Sequence, residues 1–364
     1  MSLFPFGMPV PKEEIIDRED FLMSVKNRLL MGQNLVLAGP RRIGKTSLAL
    51  ELLRQLKDEG YYTVFVDMFR LSGKNMFSKV LVDACLGNRT KITNTLEQVK
   101  QNFLHSSKLS LKLKGLELSL TRSNKTVSDD ELFDYALNLT EKLAQADKKK
   151  LIVVFDEFQE IERIAGENSL KVIRAHIQLH THVNYLFMGS QTSMMKTIFS
   201  NQNQAFYRFA ISLPVPPIPP EAMAQYITKK FTEQDIEILP EAIRMILDIT
   251  GGHPQDTMLV CSESYQALVD DKRKTLNIEH VFLGRDRAFA FLSQGFNEII
   301  ESIDPVAKTL LLRIARAESL YSKGNHPNTI KRTLDQLMDK GIIQKIERGK
   351  YDFVEPMFKG YFSL

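Results

Sequence analysis

The sequence predicts an α/β fold: a parallel sheet flanked by helices, with a helical stretch and a small helix-and-strand unit behind it. Three observations predict this. Short, almost wholly apolar runs at 35–37, 151–155 and 183–188 alternate with helical patterns. Strands lacking a polar face belong in a sheet covered on both sides. A glycine-rich loop, Gly39 to Thr46, joins the first run directly to an amphipathic helix. Residues 214–220, PVPPIPP, hold five prolines in seven positions. That is a stiff extended linker, and strand signals all but vanish after it.

In chain order, residues 1–33 form a lead-in with a helix over 19–30. A strand at 34–38, the loop and its helix follow. YYTVFVDMF (61–69) gives a second strand ending at Asp67. Helical patterns fill 75–86 and 94–104. Over 108–121 leucines alternate on either side of Lys114-Gly115, which predicts a β-hairpin insertion with a two-residue turn. It either caps an edge of the domain or serves as a contact arm. A helix at 129–146 precedes the strand at 151, a helix at 169–180 precedes the strand at 183, and 210–215 closes the sheet. Beyond the linker, helices are expected at 221–232, 239–249, 255–270, 279–291, 294–302 and 304–317, then a turn, a helix and two short strands. Three domains are therefore expected, at 1–213, 214–290 and 291–364.

Composition narrows the class. A chain of 364 residues suits two or three domains, and 43% hydrophobic with 25% charged residues is ordinary for a soluble globular protein. Two cysteines, Cys85 and Cys261, exclude a disulfide framework and a four-cysteine zinc site, and their scarcity suits a reducing cytosol. The start, MSLFPFGMPVPKEE, has no early positive charge and three prolines, so it reads poorly as a signal peptide. The run 151–155 is far too short to span a membrane. The expected location is the cytoplasm, with no membrane partner. The net charge of +4 permits nucleic-acid binding without arguing for it. His176, His180 and His182 have helical spacing but no companion acids, so they read as packed or solvated rather than metal-ligating.

The loop carries the chemistry. Its pattern is G-x-x-x-x-G-K-T, from Gly39 through Pro40, Arg41, Arg42, Ile43 and Gly44 to Lys45 and Thr46, with Ser47 opening the helix. Glycines let backbone N–H groups close around phosphate oxygens, and the helix N-terminus adds partial positive charge. Lys45 is placed to reach the β- and γ-phosphates of ATP or ADP, and the Thr46 hydroxyl to ligate Mg²⁺.

Hydrolysis needs more. Asp156 and Glu157 end the strand at 151–155, and ligands in open α/β sheets sit beyond the carboxyl ends of strands. Asp156 is expected at the Mg²⁺ and Glu157 as general base for the attacking water. Glu157 directly after the aspartate favours water attack over phosphate transfer to a hydroxyl, which makes a small-molecule kinase the less favoured reading. Ser190 and Gln191, at the end of the next strand, are candidates to touch the γ-phosphate or the water. Arg208, in AFYRFA, could bring a guanidinium to the γ-phosphate from its own or a neighbouring subunit, the latter implying a nucleotide-dependent oligomer. In TGGHP (250–254) the glycines end one helix and Pro254 starts the next, and His253 is a candidate base or phosphate sensor.

Residues 323–354 fit a winged helix. Ile330, Leu334, Leu337 and Met338 form a buried helix face, Gly341 ends the helix, and two short strands make a wing around 347–350. Asn328, Lys331 and Arg332 face outward, with Arg348 and Lys350 at the wing tip. Residues 323–350 carry five Lys and two Arg against two Asp and one Glu, a local +4. Double-stranded DNA, a protein partner or packing within the chain is expected at this unit.

Together, GPRRIGKTSL (39–48), VVFDEFQEI (153–161), FMGSQTSMM (187–195), AFYRFA (205–210) and TGGHP (250–254) make the chain resemble the archaeal and bacterial AAA-like ATPases of the STAND division of P-loop NTPases. More distantly it resembles the archaeal origin-recognition initiators. The resemblance implies a P-loop NTPase core, a helical lid and a C-terminal winged helix. It also implies an entry motif whose backbone lies near the adenine, here Ile16, Asp17, Arg18 and Glu19, with Asp17 where the family has glycine. The function so implied is an ATP-hydrolysing switch acting on a separate, unknown effector protein or on DNA. The alternative is a DNA-binding protein with mainly structural nucleotide.

Overall fold

The computed structural model describes residues 3–89, 109–113, 116–120, 128–190, 192–320 and 326–363. Five parallel strands form the central sheet: β1 (Leu35–Ala38), β2 (Tyr62–Asp67), β5 (Leu151–Asp156), β6 (Val183–Gly189) and β7 (Ile211–Pro214), in the order β2-β5-β6-β1-β7. Strands β3 (Leu109–Leu113) and β4 (Leu116–Leu120) form the antiparallel hairpin expected there, while its turn and the helix expected at 94–104 lie outside the described residues. Every residue of β5 and β6 is buried, because helices cover both faces. On one face α1 (Glu19–Leu30) and α2 (Lys45–Asp58) pack on Ile152, Val154, Leu186 and Met188. On the other, α3 (Lys74–Leu86), α4 (Asp129–Asp147), α5 (Ile161–Ala165), α6 (Ser169–Ile177) and α7 (Thr192–Ser200) flank Val153, Phe155, Tyr185 and Phe187. The strand period of two sends alternate side chains into two separate cores.

Helices α8 (Pro220–Thr232), α9 (Pro240–Thr250) and α10 (Pro254–Asp270) follow the proline segment, and each takes proline in its first turn. Proline suits that position because its missing N–H has no partner there anyway. A pair of two-residue parallel strands, β8 (Glu237–Ile238) and β9 (Thr275–Leu276), interrupts the stretch expected to be wholly helical. The helices expected at 279–291 and 294–302 are one: α11 runs unbroken over Ile278–Glu301. Phe289 and Phe296, seven residues apart, are both buried, and a continuous helix keeps them on one face. The expected boundary at 290/291 thus falls inside this helix. Helices α12 (Pro305–Ala315) and α13 (Pro327–Asp339) and the hairpin β10 (Ile343–Glu347)/β11 (Lys350–Phe353) come next. A last helix, α14 (Pro356–Phe362), was not expected; it buries Met357 and Phe358. From Ile218 to Phe358 the apolar residues form one continuous core, which also takes in Phe4. Among the described residues no helix is long and apolar enough to cross a membrane.

Candidate functional site

Because β1, β5 and β6 are parallel neighbours, their carboxyl ends meet on one edge. Three sequence-predicted groups follow those ends: the glycine loop, Asp156-Glu157, and Ser190. The loop closes through two left-handed residues, Arg42 (φ 64°) and Gly44 (φ 96°). Gly44 adopts this backbone at no steric cost, and nothing lies within 4 Å of where a Cβ would sit. Lys45 lies folded over the loop. Its Nζ donates to the carbonyls of Gly39 at 2.8 Å and Pro40 at 2.6 Å. An ammonium has three donors, so one more remains for a ligand. Burial pulls the Lys45 ammonium down to about 8, against the opposing charges of Glu157 and Asp156.

Thr46 Oγ1 donates to Asp156 Oδ2 at 2.8 Å, and the Glu157 N–H to Asp156 Oδ1 at 3.0 Å. Burial raises the Asp156 pKa, despite the Thr46 bond, and the charges of Glu157 and Asp67 add to the rise. Asp67 is the register partner of Asp156 at the end of β2. A hydroxyl and two carboxylates converging at a helix N-terminus are hard oxygen donors, the set that suits Mg²⁺.

Glu157 stands in the left-handed region (φ 52°). Its Oε2 accepts from the Ser190 N–H at 3.1 Å, the Ser190 hydroxyl at 2.8 Å and Gln159 Nε2. Arg41 Nε in turn donates to Ser190 Oγ at 3.3 Å. His253 Nε2 donates to the Arg41 carbonyl at 3.1 Å, tying α10 to the loop. Burial works against a charge on His253, but Asp256, 3.4 Å from Nδ1, outweighs it and raises its pKa.

The loop opens on a cleft of about 1030 Å³, whose lining includes Lys45, Thr46, Asp156 and Glu157 as well as Ile16, Arg18, Pro254 and residues 5–10. Asp17, which stands where the resembled family has glycine, takes φ 50°, a left-handed backbone. Arg18 is buried, with Nη1 donating to the Pro217 carbonyl at 3.1 Å and Nη2 without a partner.

A family model described as an ATPase domain predominantly from Archaea matches residues 15–260. The chain belongs to that ATPase family. Among solved structures, a Walker-type ATPase of Pyrococcus abyssi matches this ATPase with a TM-score of 0.69 at 19% identity, over 100% of both chains. The ORC2 protein of Aeropyrum pernix, in ADPNP–ADP complexes, scores 0.61 at 15% identity over 99% of this chain and 96% of that one. The ORC1 protein of Aeropyrum pernix, in complex with DNA, scores 0.52 at 12% identity over 96% and 92%. These are likenesses of fold. No curated protein matched the chain.

Other predicted residues lie elsewhere on this ATPase. Arg208 is not brought to the loop of its own chain: it is exposed, at φ 57°, with its guanidinium 5.1 Å from the Tyr207 ring centre. Gln191 lies outside the described residues. The Ser47 hydroxyl accepts from the Val10 N–H at 3.1 Å. Asn328, Lys331, Arg332, Arg348 and Lys350 are all exposed, far along the chain from the cleft. His176 meets Asp134 and Asn138, and His182 meets Glu141; among the described residues no cluster of three or more His, Cys, Asp or Glu side chains forms a metal site.

Four features escaped the sequence reading. Asp67 carried the same strand-end signal as Asp156. Gln159 sits in DEFQ, two residues past Glu157. Residues 5–10 gave no periodic signal. Glu355 arrives from the far end of the chain: burial raises its pKa, Asp256 adds to that, and Arg42, His253 and Arg41 oppose it. Pro356 beside it would lie 2.7 Å from a Cβ on Gly251, so the C-terminal segment rests on the glycine turn next to the loop.

Proposed function

We propose that this ATPase hydrolyses ATP with Mg²⁺ and works as a nucleotide-driven switch. The observation that supports it most is the meeting of Lys45, the Thr46–Asp156 pair and Glu157 at one end of the cleft. In this reading the loop amides and Lys45 hold the β- and γ-phosphates. Thr46 and Asp156 would hold Mg²⁺, which shields phosphate charge when bound. Glu157 takes the proton of the attacking water, and Ser190 orients that carboxylate. Arg208, exposed and away from its own loop, acts on the γ-phosphate of a neighbouring copy in a nucleotide-dependent oligomer. Glu355 and His253 pass the nucleotide state to the C-terminal region, which controls an effector protein or DNA.

ATP titration of Lys45→Ala tests the binding step. The expected loss of affinity is about 100-fold or more, because a charged hydrogen bond to phosphate disappears. Equal affinity in folded variant and parent would end the reading.

A DNA-binding role has its own support. We read α12 to β11 as a winged helix. The C-terminal end of α13 lies toward α7, with Met338, Asp339 and Lys340 lining a second cleft of about 930 Å³ against Lys196, Thr197 and Ser200. The opposite end, with Asn328, Lys331 and Arg332, is exposed and suits a groove.

A further inference from the structure

Just past Glu157 the chain makes a single 3-10 turn over Phe158–Glu160. Phe158 pins that turn: its ring is fully buried, with its centre 4.6 Å from that of Phe187 and 5.4 Å from that of Phe206. The next residue, Gln159, is 4% exposed. Its Nε2 donates to Glu157 Oε2, which also accepts from the Ser190 N–H and hydroxyl. Three donors thus converge on one carboxylate oxygen. Among the described residues the other oxygen of Glu157, Oε1, accepts no hydrogen bond.

The Gln159 amide is held at a cost in stability. Its Oε1 is buried and has no partner. A buried acceptor without a partner forfeits its hydration, whereas an apolar side chain of the same shape would not. Room for the amide comes from Gly189, at the end of β6. A Cβ there would lie 2.4 Å from Gln159 Oε1 and 2.5 Å from Met195 Cγ. Gly189 is not left-handed, so its backbone does not call for glycine; the crowding does. An unpaired oxygen and a missing side chain on β6 both accompany one gain, an N–H on Glu157.

We infer that Gln159 is a positioning residue for hydrolysis: with Ser190 it clamps Oε2 of Glu157 and leaves Oε1 to act on the attacking water. Oε1 takes the proton as the water oxygen bonds to the γ-phosphorus, and ADP leaves with the bridging oxygen. This rests on the reading of Glu157 as general base, and it adds what aims that carboxylate. Gln159 acts through Glu157 and contributes nothing to holding the nucleotide.

Gln159→Met in the full chain keeps the length of the side chain and removes both polar atoms. Its kcat should fall about tenfold, part of what a general base contributes, with ATP affinity unchanged. Its denaturation midpoint should hold or rise, because the unpaired acceptor is gone. Added to Glu157→Gln, it should make single-turnover hydrolysis no slower than in Glu157→Gln alone. Gly189→Ala, which crowds the amide, should lower kcat in the same way. An unchanged kcat in Gln159→Met, or an equal loss with and without the Glu157 carboxylate, overturns the positioning role while leaving hydrolysis intact. A joint loss of stability, ATP affinity and kcat would make Gln159 a packing residue and overturn it too. If Glu157→Gln hydrolyses ATP as fast as the parent, or the parent hydrolyses none, the general-base reading falls and the role of Gln159 with it.

Discussion

The α/β half and the C-terminal half of this ATPase are held together by opposite means. In the first, the sheet divides the apolar residues into two cores, and the strand ends between them are fixed by ladder hydrogen bonds. In the second, seven helices and a short hairpin share one core that runs across the expected domain boundary. The difference teaches where chemistry can be built rigidly. Asp156 ends β5 and Ser190 follows β6, strands whose register leaves little freedom, while Lys45 opens α2 at the end of the loop that leaves β1. From the helical half His253 reaches the loop through one hydrogen bond to the Arg41 carbonyl, and Glu355 stands near Arg41 and Arg42. The proposed nucleotide switch would draw on this difference, since its two states need different contacts.

The largest expected effect lies on the rigid side. Glu157→Gln should cut steady-state ATP turnover by about 100-fold or more while ATP still binds, as for loss of a general base. Unchanged turnover would leave nucleotide structural only, and would reduce the two halves to a static assembly.

The seam between the halves is tested at Gly251. It combines φ 58° with a Cβ position 2.7 Å from Pro356. Gly251→Val should cost about 2–4 kcal/mol in chemical denaturation, with backbone strain and overpacking both contributing. A neutral result would show that the C-terminal segment yields without cost.

The third test uses pH. Burial holds Lys45 at about 8, below a lysine's ordinary value of 10.5. Between these values the unfolded chain carries the proton and the folded apo protein does not, so stability without nucleotide should rise as pH rises through this window. ATP favours the charged lysine, so its affinity should fall by up to about tenfold per pH unit above pH 8 and stay flat just below it. Calorimetric titration from pH 7 to 10 checks both signs; a flat affinity would mean that Lys45 does not meet phosphate.

The smallest effect concerns the exposed end of α13. If it meets DNA, Lys331→Ala with Arg332→Ala should reduce the slope of log affinity against log salt by about 2. An unchanged slope would move the contact to the wing, at Arg348 and Lys350, or remove it.

Much of the phosphate end was legible because its residues are contiguous. G-x-x-x-x-G-K-T must follow a strand and open a helix, and an apolar run ending in Asp-Glu has few places in a doubly wound sheet. Asp17 was read as a departure from the entry motif, and its backbone is left-handed. The local sequence marked Arg208 for its own or a neighbouring subunit, and in the fold it is exposed. The break expected after residue 291 failed because polar residues around Gly295 resemble a helix end, while burial of Phe289 and Phe296 on one face outweighs glycine's modest helix cost.

By itself the sequence determined the alternation of strands and helices, the phosphate loop and the acids beyond β5, because periodicity and motif spacing are local properties of the chain. Only the tertiary structure decided that residues 4–10 lie along the cleft, that Glu355 stands near Arg41 and Arg42, and that one core unites everything after the proline segment. Those contacts join residues hundreds of positions apart, and no short-range pattern encodes which apolar face will find which.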